Sequence, residues 1–377
     1  MTIIARHPAI RFFLLLCLFV LLPIVGDTDQ SSPTKVFVIP VTGEVEPAMA
    51  AFIKRATQDA ARVQDSLIVL ELDTFGGRVD AALTIVDTMI NSDQHRTIGF
   101  VKTKAISAGA LIALSCNDLV MRPSTTIGDC APITYSNEGP KMLGEKFQSP
   151  LRAQFRSLAR RNNYPPTLAE AMVTSEKEVY AVMGHDGETR YLDSTEYEDL
   201  PQPERDKITS KKTVVAKGEL LTMDNAEAQV LGFSRMTANS VEEMLHGFGI
   251  ENYEIVRLDQ NWSETMGRFI ASISPILLMI GLAALYVEIK APGFGLPGIV
   301  GIITLGLVFL NQYLVGLANY TELLFVVLGV ALLLMEIFVF PGFGVAGATG
   351  LFCICLGMIL SFQDFVVPDP SLPWQAE

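Results

Sequence analysis

The stretch Lys104-Ala105-Ile106-Ser107-Ala108-Gly109-Ala110-Leu111-Ile112-Ala113-Leu114 sets one serine among small residues, where an extended segment becomes an apolar helix. The first N–H groups of a helix have no partner within it. A hydroxyl at that corner is presented as a nucleophile beside free donors. The flanking sequence repeats one pattern. Residues 36–41, 66–73, 97–101 and 118–121 read as short apolar strands, and 46–64 and 79–91 as helices with apolar residues at helical spacing. Strands alternating with helices over 36–257 predict an α/β fold with a largely parallel sheet between helical layers.

Asp73-Thr74-Phe75-Gly76-Gly77-Arg78 follows the second of these strands. Two glycines there let the backbone turn sharply and point N–H groups outward. Ser107 comes one strand–helix unit later. The N–H groups of Gly77 and Ala108 are therefore expected to face one point, as the oxyanion of an acyl transfer requires.

A serine hydroxyl needs a base. The chain has four histidines. His7 falls in an export signal, and His95 in a polar turn expected to face water. His185 falls in the hairpin turn Gly184-His185-Asp186-Gly187, and His246 late in a helix near the membrane. None is well placed for a Ser–His–Asp triad. A lysine kept neutral by burial can replace histidine. Two candidates follow Thr126-Ile127-Gly128. Lys141 lies in a loop and Lys146 heads an amphipathic helix, and the residue pattern leaves both open.

With 28 basic against 41 acidic residues, the net charge of −13 argues against a nucleic-acid partner. No phosphate-binding Gly-x-x-x-x-Gly-Lys-Ser/Thr motif occurs, and no metal or cofactor is implied. Of five cysteines, Cys116 and Cys130 read as buried free thiols, with pairing as the alternative. Export also argues against an acyl-CoA enzyme, whose substrates are cytoplasmic.

The two ends are apolar. Arg6, His7 and Arg11 precede an apolar run over 12–25, which predicts a signal peptide or anchor over 1–26. Residues 265–362 are almost wholly apolar and predict four crossings, at 269–289, 298–317, 322–340 and 345–362. This region is an internal repeat: Glu288-Ile289 and Glu336-Ile337 each precede a Pro-Gly-Phe-Gly turn. The two glutamates are read either as carboxylates at helix ends or as a functional intramembrane acid pair. Arg6, Arg11 and Lys290 are assigned to the inside, which puts the middle domain outside. Trp262 suits an interfacial anchor.

Together, Asp73-Thr-Phe-Gly-Gly-Arg, Ile106-Ser-Ala-Gly, Thr126-Ile-Gly, Arg156-Ser-Leu-Ala, Leu221-Thr-Met-Asp-Asn-Ala-Glu-Ala and the two Pro-Gly-Phe-Gly repeats resemble the long form of the NfeD family. The family comprises membrane-bound serine proteases of the ClpP/crotonase fold. The resemblance implies a ClpP/crotonase-like domain over 33–257 followed by a membrane region of about four helices. It also implies a Ser–Lys dyad. Ser107 falls on the nucleophile, Gly77 and Ala108 on the oxyanion positions, and Gly76 and Gly109 on the surrounding substrate loop. Counting about eleven residues back from Ser157 selects Lys146 over Lys141 as the base. Homo-oligomers and a stomatin-like membrane partner, cut in its apolar segments, are implied as well. Phe75 stands where the family usually has proline. The tail over 363–377 is too short for the small OB-type barrel that usually ends long members.

Overall fold

The computed structural model describes residues 33–92, 94–136, 139–290, 295–314, 320–338 and 344–361. The expected signal or anchor over 1–26 and the tail lie outside the described residues.

The main sheet runs in the order β11-β5-β3-β2-β1-β12, with β4 also paired to β3. Its strands are β1 (Thr34–Thr42), β2 (Leu67–Thr74), β3 (Arg96–Ile106), β4 (Asp118–Met121), β5 (Thr126–Gly128), β11 (Thr222–Asp224) and β12 (Tyr253–Arg257). All pairings are parallel except β11 with β5. The central strand β2, Leu67-Ile-Val-Leu-Glu-Leu-Asp-Thr, is buried at every position but Asp73, as a strand covered on both faces must be.

The two-residue period of the strands divides the core in two. Phe37, Ile39, Val41, Ile68, Leu70 and Leu72 face one layer, formed by α1 (Pro47–Ala60), α2 (Val79–Ile90), α3 (Ala108–Ser115), α4 (Glu145–Arg161) and α5 (Pro166–Ala171). Val36, Val38, Leu67, Val69 and Ile98 face the other. The hairpin β6 (Ile133–Ser136) and β7 (Gly139–Met142) precedes α4. A small antiparallel sheet of β8 (Val179–Gly184), β9 (Thr189–Asp193) and β10 (Ile208–Val215) carries the short helices α6 (Ser194–Glu198) and α7 (Gln202–Arg205). Helix α8 (Asn225–Val230) follows β11, and α9 (Val241–Gly247) covers the second face through Val241, Met244 and Leu245.

Helix α3 is the central element. All eight of its residues are buried, and it follows β3 with only Ser107 between them.

Four helices end the described chain: α10 (Trp262–Lys290), α11 (Leu296–Leu314), α12 (Tyr320–Phe338) and α13 (Val345–Ser361). They fall where four crossings are expected. Among the described residues one, over Glu264–Glu288, is long and apolar enough to cross a membrane, and the other apolar stretches are shorter. Helices α10 and α11 pack where Gly281 and Gly301 receive Leu305 and Leu285, and α12 meets α13 at Gly329 and Gly350. Small residues at such contacts let backbones approach closely.

The repeated glutamates have a definite job. Glu288 accepts from the N–H groups of Gly295 (3.0 Å) and Gly298 (2.9 Å), and Glu336 from those of Gly344 and Gly347. Each carboxylate caps the start of the next helix, where partnerless donors and the helix dipole favour negative charge.

His95 is not in water as expected. It is 7 % exposed, and its Nδ1 lies 3.0 Å from the hydroxyl of Ser66. The imidazole packs against Ser66, whose carbonyl also lies 3.4 Å from Nδ1, and this contact takes it out of solvent. His185 lies between β8 and β9, in the expected hairpin. Trp262 opens α10 and is exposed. Cys116 and Cys130 are buried free thiols.

Candidate active site

Ser107 has φ 55° and ψ −117°, a region that side-chain-bearing residues rarely adopt. Such strain costs about 1–3 kcal/mol and persists only where the surroundings enforce it. They do so here through the backbone. The Ser107 N–H donates to the carbonyl of Gly128 (3.0 Å), and its own carbonyl accepts from Ala110 (3.0 Å), Leu111 (3.3 Å) and the Cys130 thiol (3.5 Å). The chain thus turns from strand to helix within one residue and aims the hydroxyl outward, as in a nucleophile elbow. Among the described residues that hydroxyl has no hydrogen-bond partner.

The Gly76-Gly77 turn lies directly against it. A β-carbon built on Gly76, whose φ is +109°, would lie 2.7 Å from the β-carbon of Ser107 and 3.1 Å from its hydroxyl oxygen. The Gly76 N–H donates to Thr74 Oγ1 (2.9 Å). Val45 bridges Gly77 in parallel fashion: its N–H donates to the Gly76 carbonyl (2.8 Å), and its carbonyl accepts from Arg78 (2.8 Å). In such a bridge the flanking residues make the bonds, so the N–H of Gly77 faces away from Val45. Ala108 is the first residue of α3, and its N–H is one of the orphan donors of a helix start. Neither N–H has an acceptor among the described residues. Gly109 brings α3 onto β2, since a β-carbon there would lie 2.6 Å from Thr74 Cγ2.

Gly77, Ser107 and Ala108 share a narrow cavity of about 20 Å³ with Val79, Leu111, Cys130, Leu151 and Phe155. Its walls are apolar. Burial pushes the Cys130 thiol well above the usual range, so it is inert there. A second, open cleft of about 600 Å³ lies beside the same turn, lined by Thr42, Glu44, Phe75 and Lys104 among others. Lys104 is committed in it. Its ammonium pairs with Asp73 (3.1 Å) and sits 4.3 Å from the centre of the Phe75 ring. A hydrogen bond from Thr103, then the Lys104 ammonium, hold the Asp73 carboxyl below the usual range against some desolvation.

Lys146 lies in the first turn of α4 and is exposed, outside the cavity lining. Lys141, on β7, is exposed as well. At 3.6 residues per turn, Gln148, Leu151 and Phe155 share one face of α4, and Lys146 lies about half a turn from Phe155. Gln148, half-buried, donates to the carbonyl of Leu143 (2.7 Å). The structure thus brings together Ser107, Gly76, Gly77, Ala108 and Gly109 and leaves Lys146 apart from them. The residue pattern gave no sign of Val45. For Gln148 the signal was there but unread, in its helical spacing from Leu151 and Phe155 along α4.

Fold and site together define a membrane protein whose α/β domain carries a serine at a strained strand-to-helix corner, in one cavity with two residues whose N–H groups have no acceptor among the described residues. The chain belongs to the NfeD family. The family's "NfeD1b, N-terminal domain" matches residues 35–201, and its "NfeD integral membrane domain" matches 272–376. Membrane protein NfeD1b of Bacillus subtilis is 32% identical over 339 residues, covering 89% of this chain and 69% of that protein. A membrane-bound protease of Pyrococcus horikoshii is 27% identical over 320 residues, covering 82% of this chain and 64% of the relative. The chain thus spans about two thirds of the length of these relatives. A solved membrane-bound stomatin-specific protease in complex with a substrate peptide is 22% identical, with a TM-score of 0.48 over 64% of this chain and 99% of its own.

Proposed function

We propose that this chain is a membrane-tethered serine endopeptidase that cuts apolar segments of membrane-associated proteins, a stomatin-like protein among them. The carrying observation is the strained Ser107 corner, which shares a cavity with Gly77 and Ala108, whose N–H groups have no acceptor among the described residues. The 27% identical relative named a membrane-bound protease supports the same reading. The catalytic unit is the ClpP/crotonase-like domain over 33–257, acting as a homo-oligomer on the extracytoplasmic side of four crossings.

In the reaction the Ser107 oxygen attacks the peptide carbonyl, and its proton passes to the Lys146 amine. The N–H groups of Gly77 and Ala108 hold the tetrahedral oxyanion, a contribution of about 10²–10³ in rate for each such donor. Collapse breaks the C–N bond, and the leaving amine takes the proton from Lys146. Water then cleaves the acyl-serine by the same steps in reverse. The narrow apolar cavity takes a small apolar side chain of the substrate.

Lys146 reaches Ser107 only if the first turn of α4 rewinds by about half a turn. Two features make that turn easy to rewind. Gly144 supplies no side-chain cap, and Pro150 has no N–H for the carbonyl of Lys146.

The exposure of Lys146 and the place of Gln148 favour a second reading, a non-catalytic membrane scaffold for a stomatin-like protein, which holds apolar segments without cutting them. A fluorophosphonate probe and an apolar peptide library, applied to the full-length protein, Ser107→Ala and Lys146→Ala, separate the two. The peptidase reading expects labelling and cleavage that vanish with Ser107→Ala. Peptide binding without either, unchanged by Ser107→Ala, would establish the scaffold instead.

A further inference from the structure

The first turns of α10 do more than lead the chain to the membrane. They lie along α1 and are tied to it by two ion pairs. Glu264 receives Arg55 through two bonds (2.7 and 2.9 Å), and Arg268 donates to Glu46 (2.7 Å). Glu264 is itself locked by reciprocal bonds with Asn261, both 2.8 Å. The register of α10 on α1 is therefore fixed at both pairs.

Glu46 stands at the N-cap of α1 and directly follows Val45. Val45 makes the two 2.8 Å backbone bonds that turn the Gly77 N–H away from itself, and Gly77 lines one cavity with Ser107. The Arg268 guanidinium also rests on the bare backbone of Gly43, where a β-carbon would lie 3.3 Å from Nη2. Gly43 in turn donates to the carbonyl of Asp73 (3.1 Å), at the start of the glycine turn. One side chain of the membrane helix thus holds both ends of the segment 43–46, with Val45 between them.

Ion pairs at this partial exposure add little to global stability. Their effect is on local order. A donor that acts only on the transition state is sensitive to small errors of aim.

We propose that Arg268 and Glu46 are positioning residues: their ion pair fixes Val45, Val45 aims the Gly77 N–H at the space beside Ser107, and the anchoring helix thereby sets the competence of the site. This rests on the peptidase reading for its catalytic consequence. The coupling itself stands on the contacts alone.

The test uses the full-length protein in detergent micelles, with Arg268→Gln to break the pair and Arg268→Lys to keep its charge. Hydrogen exchange is followed at residues 43–46 and 74–78, with 179–193 on the distant small sheet as reference. Turnover of an apolar fluorogenic peptide is measured alongside. Arg268→Gln should speed exchange about tenfold at 43–46 and 74–78 and leave 179–193 unchanged. It should also lower kcat roughly tenfold with KM nearly constant, because the oxyanion contact is made only in the transition state. Arg268→Lys should keep most of both. Unchanged exchange in Arg268→Gln overturns the proposal, as does faster exchange with wild-type kcat. A wild-type protein without Ser107-dependent turnover defeats the peptidase reading, and the exchange arm still decides the coupling.

Discussion

Gly76 leaves no room for a methyl group beside Ser107: a β-carbon on it would fall 2.7 Å from the β-carbon of the serine. Its φ of +109° disfavours any side chain as well. The two glycine requirements coincide at the point where the turn meets the Ser107 corner. Gly76→Ala should therefore either push the turn away or displace Ser107. The expected cost is about 1–3 kcal/mol in a urea midpoint, with fluorophosphonate labelling slowed at least about tenfold. Labelling at the wild-type rate would show that the turn does not touch the working geometry.

The contact between Gly109 and Thr74 yields a sharper test, because the clash can be relieved. A β-carbon at 109 meets Thr74 Cγ2 at 2.6 Å. Gly109→Ala alone should destabilise by about 1–3 kcal/mol through overpacking. Thr74→Ser deletes that methyl and keeps the hydroxyl that caps the Gly76 N–H. The double variant should recover much of the loss, with a coupling of about 1 kcal/mol or more. Additive losses in a double-mutant cycle would mean that α3 and β2 do not meet in this way.

Much of this was legible in the sequence, for physical reasons. Strand β2 is covered on both faces and so reads as an unbroken apolar run, and α1 carries Met49, Phe52, Ile53 and Ala56 at helical spacing. The corner at Ser107 showed itself in the small residues around it. Its dihedral angles did not, because they are imposed by Gly128 and by the start of α3. Val45 was invisible, since its role is wholly a matter of backbone bonds to residues some thirty positions away. His95 was misread because polarity of the surrounding turn says nothing of Ser66, 29 positions earlier, which pairs with its ring. The small sheet β8–β10 was expected only as one hairpin, its strands being half-exposed and weakly patterned.

Asp73 makes a pH prediction. Its carboxyl titrates below the usual range, first through Thr103 and then through Lys104. A group with a depressed folded pKa adds stability above its unfolded value, about 3.9, and loses it as pH falls through the folded value. Wild-type stability should therefore fall more steeply than that of Asp73→Asn as pH drops below about 4. The two curves should converge at the acid end. Urea midpoints between pH 2.5 and 6 (on the order of half-unit steps) check this. Parallel curves across the range would remove Asp73 from the account.

The glutamate caps predict stability without chemistry. Glu336→Ala leaves the N–H groups of Gly344 and Gly347 without their acceptor, and Glu288→Ala does the same to Gly295 and Gly298. Each should lower stability in detergent by about 1 kcal/mol, seen as a lower Tm. Ser107 labelling should be retained. Loss of labelling at unchanged Tm would favour the alternative of a functional acid pair.

The proton acceptor is decided on α4. Leu151 and Phe155 line the cavity, and the residue one turn before them on that face is Gln148. A neutral amide cannot take a proton from serine. Lysine at 148 would lie beside two apolar side chains, whose desolvation favours the neutral amine. If the first turn rewinds to bring Lys146 in, Lys146→Ala should slow Ser107 labelling by about 10²–10⁴, the range of general-base catalysis. In that background Gln148→Lys should restore at least about tenfold of the loss, since it supplies an amine without any rewinding. The labelling rate of the double variant should rise with pH through the pKa of the new amine. A Lys146→Ala protein that labels at the wild-type rate would remove Lys146 from the reaction. If Gln148→Lys also gained nothing over it, the face of α4 toward Ser107 would serve to bind the substrate segment and not to activate the serine.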